Sequence, residues 1–252
     1  MQTYRFSELT EETLDSIVTL HEKVGVSDDW EEMQRCLTAE ERKRIDVFRA
    51  DLEGLELIAM NEATLWSRVV YPLLVLAEQE HIRAWAGVPL KATYATFQLE
   101  GEADGVLAPC ILGRMRRPYF VVHEAKRGVN APDPLYQLLG EMLAAAWLNW
   151  KKDTTPNQEI FGCYTVAESW AFVRGVVGEM DAEKPTFAVE KSLTYNGVSE
   201  AERIVQILKA IVAKHLSPKT NGGAEHANLS LLRIDRRETQ HVSVPKQNRR
   251  RV

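Results

Sequence analysis

The chain has 252 residues, 45% of them hydrophobic and 27% charged, enough to bury one large core or two small ones without disulfide staples. Its 31 basic and 36 acidic residues leave a formal charge of −5, so no global basic field announces a nucleic-acid binder. Three scattered cysteines and the lack of any apolar run near 18–20 residues argue against disulfide-scaffold and membrane classes. With no apolar leader at the start, the expectation is a soluble protein of the reducing cytoplasm.

In chain order, the front reads as helical and acidic, with 15 acids against seven bases in residues 1–56. Ser7 and Thr10 open an acid-rich turn before Leu14, Ile17, Val18 and His21, which predicts one capped amphipathic helix. Thr38-Ala39-Glu40-Glu41 is a second capping box, ahead of Ile45, Phe48 and Leu52. Asn61-Glu62-Ala63 starts a third helix, whose stripe is Leu65, Val69, Leu73 and Leu76; Pro72 should kink or divide it.

The period then changes. Alternation predicts strands over 93–99 and 103–108, joined by a turn at Glu100-Gly101-Glu102, and a short buried strand over 119–122. Pro134 leads into an amphipathic helix through Leu135, Leu138, Met142 and Trp147. A strand pair over 160–166 and 170–176 follows, then an edge strand over 187–189. Ser199 caps a last helix bearing Ile204, Ile207, Leu208 and Ile211. From Ser217 on, eight bases against three acids read as a largely irregular basic tail, with 229–234 as a short docked element. The element order implies an α/β or α+β sandwich around one sheet.

The chemistry concentrates in two strands. Asp104 lies in one; Glu124, Ala125 and Lys126 end the next, after the basic connection Arg114-Met115-Arg116-Arg117. Residues i and i+2 share a strand face, so Glu124 and Lys126 point the same way and Ala125 offers its carbonyl. If the strands pair antiparallel, Asp104 meets Glu124. Two carboxylates and a carbonyl are hard oxygen ligands suited to Mg²⁺. A lysine beside such a metal can position or help deprotonate water and offset negative charge, which is equipment for phosphodiester hydrolysis. A solvated strand end with a surface ion pair is the plainer alternative.

These residues resemble the PD-(D/E)xK nuclease superfamily, of restriction-endonuclease-like fold. More narrowly they are similar to the N-terminal nuclease domain of type I restriction enzyme R subunits and to related stand-alone bacterial proteins. The resemblance runs through Asn61-Glu62-Ala63 with Tyr71-Pro72-Leu73-Leu74, then Ala103-Asp104-Gly105-Val106-Leu107 and Val122-His123-Glu124-Ala125-Lys126-Arg127. It continues at Gln137 and ends in Ile160-Phe161-Gly162-Cys163-Tyr164-Thr165 and Trp170-Ala171-Phe172, covering roughly residues 60–215. It implies a central mixed sheet flanked by helices in residues 57–216, with a helical N-terminal extension over 1–56 and the basic tail over 217–252.

The resemblance also implies roles. Asp104, Glu124 and the Ala125 carbonyl would hold Mg²⁺, with Mn²⁺ able to substitute, and Lys126 would be the catalytic lysine. Gln137 would support the site, and Glu62 would face it from the preceding helix, although a first-turn acid is also simple dipole complementarity. Two positions depart from the pattern: Glu141 stands where many relatives have tyrosine, and Thr165-Val166-Ala167-Glu168 replaces a Thr-Asn-Gly turn. Arg114, Arg116, Arg117 and Arg127 are candidates to grip phosphates near the site, with a solvated hairpin loop as the alternative for the first three. His123 alternates to the opposite face and reads as structural.

No Gly-x₄-Gly-Lys-Ser/Thr loop is present, so the chain carries no ATPase motor of its own. The expectation is a Mg²⁺-dependent endonuclease acting on nucleic acid, DNA before RNA, with no membrane partner and as a homodimer or with partner subunits. The alternative is a catalytically silent nuclease-fold module that binds nucleic acid or a protein.

Overall fold

A computed structural model describes residues 1–27, 29–126 and 133–216. Arg127 and the tail over 217–252, with its proposed docked element, lie outside the described residues. The chain forms a mixed nine-stranded sheet between two helical layers. Among the described residues, no helix is long and apolar enough to cross a membrane.

The front departs from the expected helical extension. β1 (Gln2–Arg5) is a strand, α1 (Glu11–Ile17) ends four residues before His21, and His21 lies in β2 (Thr19–Val26). The Thr10 cap is real, because its side chain accepts from the Thr13 amide and Thr13 returns the bond. What stops the helix is tertiary pairing: β2 runs parallel to β9 (Thr186–Asn196), and Pro185 accepts from the Thr19 amide. β1 and β2 thus join the main sheet at opposite ends of the strand path, so residues 1–26 are part of the central domain rather than an appendage.

The next helices follow the sequence signals. After the four-residue α2 (Asp29–Glu32), α3 (Ala39–Leu52) starts at the Thr38–Glu41 capping box. α4 (Glu62–Leu65) is capped by Asn61. A π turn (Trp66–Val70) leads into α5 (Tyr71–Leu76), so the division expected near Pro72 takes the form of a widened helical turn.

β3 (Ile82–Thr93) and β4 (Phe97–Ile111) make a long antiparallel hairpin that the sequence reading split differently. No turn occurs at Glu100-Gly101-Glu102. Gly101 sits inside β4, where an added Cβ would come within 2.4 Å of the Phe6 ring. That glycine makes room for packing, which local sequence cannot tell from a turn signal.

The edge of β4 opposite β3 is shared. β1 pairs in parallel with residues 97–100, and β6 (Val121–Lys126) pairs antiparallel with residues 105–107. β5 (Arg114–Met115) folds back on the end of β4. Beyond β6 come β7 (Gln158–Val166), β8 (Ser169–Gly178) and β9, with β6 and β7 parallel and the rest of that run antiparallel. The strand expected at 187–189 is therefore interior, held between β8 and β2.

Helix α6 (Leu135–Asp153) covers one sheet face together with α1 and Phe6. α3, α5 and α7 (Ala201–Leu216) cover the other. Gly140 of α6 gives Leu9 its place, since a Cβ there would lie 2.2 Å from Leu9 Cδ1. The front of the chain is thereby keyed into the long helix.

Candidate active site

The site lies where β4 passes from β1 to β6. Phe97, Leu99 and Ala103 face the α6-side core, but beyond Asp104 it is Val106 and Ala108 that do so, while Leu107 faces the other layer. The inward alternation changes parity at this point. The ladder from β4 to β6 ends at Gly105↔His123. One step on, Asp104 Oδ2 accepts a hydrogen bond from the Ala125 amide at 2.7 Å. Antiparallel pairing thus brings Asp104 to Glu124, as the strand argument required.

Glu124 is buried, and its Oε1 is ion-paired with Lys126 Nζ. The Lys126 backbone is fixed as well, because its carbonyl accepts from the Ala167 amide in the β7–β8 turn. That turn is closed by Ala167 at positive φ, a conformation that glycine adopts more readily.

The residue that sequence reasoning treated only as a departure is central. Glu141 on α6 is fully buried and accepts from Gln137 Nε2 at 3.3 Å through Oε1. Glu124 Oε2 and Glu141 Oε2 are buried without a protein donor. A proton on Glu141 lets the two carboxyls hydrogen-bond each other. Burial first, and then the charge of Glu124, push Glu141 well above the usual carboxylate range. Its only sequence signal was an acid in the apolar stripe of α6, four residues after Gln137. Gln137 thus reaches the site through Glu141.

The same forces act on the neighbours. Burial, reinforced by the charge of Glu124, raises Asp104 to about 7. Burial also raises Glu124, against the opposing hydrogen bonds of Glu141 and Lys126. Burial pulls Lys126 down, but the Glu124 partner more than offsets it and keeps the ammonium charged. Glu62 is exposed, yet its charge is felt by Asp104, Glu124 and Lys126, so it borders the cluster from the solvent side.

The arginines are elsewhere. Arg114 pairs with Ile111 at the far end of β4, roughly 23 Å along the strand from Asp104 at about 3.3 Å per residue. Arg114, Arg116 and Arg117 therefore do not flank the carboxylates as expected, because the connection starts from the end of β4 remote from Asp104. A groove of about 470 Å³, lined in part by Arg5, Ser7, Lys91, Glu102 and Gln137, opens beside the site instead. His123 is buried on the opposite face between Trp66 and Trp170, with ring centroids at 5.4 and 5.2 Å.

Among the described residues, no three His, Cys, Asp or Glu side chains form a group that could hold a metal ion. A cation here would rest on two carboxylates, completed by backbone and water oxygens, a ligand set that Mg²⁺ accepts. Asp104 and Glu124 supply hard anionic ligands of that kind. No protein-family model matches the chain, and no curated protein matches it.

Proposed function

We propose that this chain is a divalent-metal-dependent nuclease of the restriction-endonuclease-like kind, hydrolysing phosphodiester bonds in DNA. The observation that carries the reading is the convergence of Asp104, Glu124 and Lys126 at the β4–β6 junction, with the Glu124 carboxylate buried there. A buried charge is costly unless a cation or proton answers it.

Asp104 and Glu124, with the Ala125 carbonyl, would hold Mg²⁺ or Mn²⁺. A bound divalent ion supplies charge stabilisation at the phosphate and a more acidic water. The Asp104–Ala125 hydrogen bond fixes the carboxylate relative to β6. Lys126, kept cationic by Glu124, offsets the negative charge that develops on the phosphoryl oxygens. Glu141, held by Gln137, keeps Glu124 from turning away. Glu62 adds negative charge at the solvent edge, where it favours cations.

The test is cleavage of labelled duplex and single-stranded DNA with Mg²⁺, Mn²⁺ or EDTA, using wild type, Asp104→Ala and Lys126→Ala. Metal-dependent cutting lost in both variants is the expected result. No cutting by wild type, together with no metal binding by calorimetry, overturns the reading in favour of a silent module.

A further inference from the structure

The end of β4 remote from the carboxylates carries a feature that the proposed chemistry does not use. Ile111 pairs with Arg114 across a two-residue turn, Leu112-Gly113, in which both residues have positive φ, 54° and 73°. Turns of this kind favour Asn, Asp or Gly at the first position, because a larger side chain is strained in the left-handed region. Here that position holds leucine, 91% exposed, beside Ile111 at 50%. A leucine held in strained backbone and pointed into water contributes nothing to the core, and such positions gather where a contact is made.

The connection that carries this tip holds only basic and neutral residues. Arg114, Arg116 and Arg117 are exposed, and no acid occurs between Asp104 and Glu124 in the sequence. None of the three arginines pairs with an acid among the described residues. Lys152, at the end of α6, donates to the Arg117 carbonyl at 2.5 Å and adds a further cation. The hairpin is also well anchored, with Arg116 N donating to the Pro109 carbonyl at 2.8 Å.

We propose that the β4–β5 hairpin tip is a second contact with double-stranded DNA, in which Leu112 wedges against a base step while Arg114, Arg116 and Arg117 hold the flanking phosphates. An apolar wedge ringed by arginines is the arrangement that unstacks base pairs from the minor groove. The arginine rim answers phosphate charge, and an apolar protein partner would leave those charges unmatched. The identity of the substrate rests on the nuclease reading, but the contact itself does not. Leu112 lies about 26 Å along β4 from Asp104 at roughly 3.3 Å per residue. That distance matches about eight base pairs of duplex, so the tip would set where on the duplex the cut falls.

The experiment measures binding of the full chain in EDTA, where no cleavage intervenes. The probes are a fluorescein-labelled DNA duplex and the same duplex carrying 2-aminopurine. Wild type is expected to bind and to raise the 2-aminopurine fluorescence. Leu112→Gly, which relieves the turn and so keeps the fold, should abolish that rise with little change in salt dependence. Combined Arg114→Gln, Arg116→Gln and Arg117→Gln should weaken binding at least tenfold and lower the salt slope by about 2.7, the value for three phosphates.

Unchanged duplex binding in the arginine variant, or an unchanged 2-aminopurine signal in Leu112→Gly, overturns the proposal. So does loss of binding to anionic vesicles, rather than to DNA, in these variants. Tip-dependent binding by a wild type that cuts nothing with Mg²⁺ keeps this inference and overturns the nuclease reading. Cutting that persists with tip-independent binding does the reverse.

Discussion

The Asp104 carboxylate accepts the Ala125 amide at 2.7 Å, so a side chain of β4 satisfies the first β6 amide past the end of the β4–β6 ladder. One residue therefore serves both the sheet and the candidate site. Asp104→Asn keeps an acceptor in that place and removes a buried charge, whereas Asp104→Ala leaves the amide unpaired. In EDTA, Asp104→Asn should be at least as stable as wild type, and Asp104→Ala less stable by about 1–3 kcal/mol. Urea denaturation checks this; equal stability of the two variants would remove the structural half of the role.

Glu141 tests the carboxyl pair. Glutamine has nearly the same shape and can donate to Glu124 without a proton to manage, so Glu141→Gln should leave stability within about 0.5 kcal/mol of wild type. Glu141→Ala opens a cavity and strands both Glu124 and Gln137, with an expected loss of about 2–4 kcal/mol. Thermal unfolding of both variants separates a buried neutral carboxyl from a charge that the fold requires.

His123 is buried between two indoles with neither ring nitrogen hydrogen-bonded. Burial lowers its pKa to about 3, so the neutral imidazole acts as an aromatic spacer that bears an unsatisfied polar cost. His123→Phe should raise stability by about 1 kcal/mol, read as an upward shift in Tm. A large loss would mean that the ring nitrogens find partners in solution.

The other sheet face holds a buried ionic cluster that is structural. Arg174, on β8, contacts Glu159 at 2.7 Å, Glu190 at 3.3 Å and Asp29 at 3.7 Å, and Lys214 reaches Glu159 at 2.7 Å. Arg174→Met leaves Glu190 and Glu159 without their common partner and should cost about 3–5 kcal/mol. Circular dichroism during urea unfolding would register the loss.

The same cluster sets an acid limit. Burial tends to raise Glu159, but Lys214 and Arg174 more than offset it and hold the carboxyl below its ordinary 4.5. A depressed folded-state pKa gives stability that is present above 4.5 and lost as pH falls through the lower folded value. Wild type should therefore lose stability as pH falls below 4.5 toward the lower folded value, and Glu159→Gln less steeply. Parallel curves for the two proteins would count against this account.

Local sequence specified much of the molecule because some signals act within a few residues. The Thr38–Glu41 and Asn61 caps, the stripes of α6 and α7, and the acid-x-Lys following an apolar run were legible, since caps and 3.6-residue periodicity depend on neighbours in the chain. The meeting of Asp104 with Glu124 was legible only on the condition that their strands pair antiparallel, which the sheet supplies. What only the tertiary structure decided were contacts between distant segments. β1 docks on β4 and β2 on β9, more than 90 and 160 residues away, so an apparent helix became a strand at His21. Gly101 yielded to the Phe6 ring instead of making a turn. Glu141 looked like a lost tyrosine until α6 laid it against Glu124. Pairing and packing over such separations are set by which surfaces bury each other, and residues adjacent in sequence do not encode that choice.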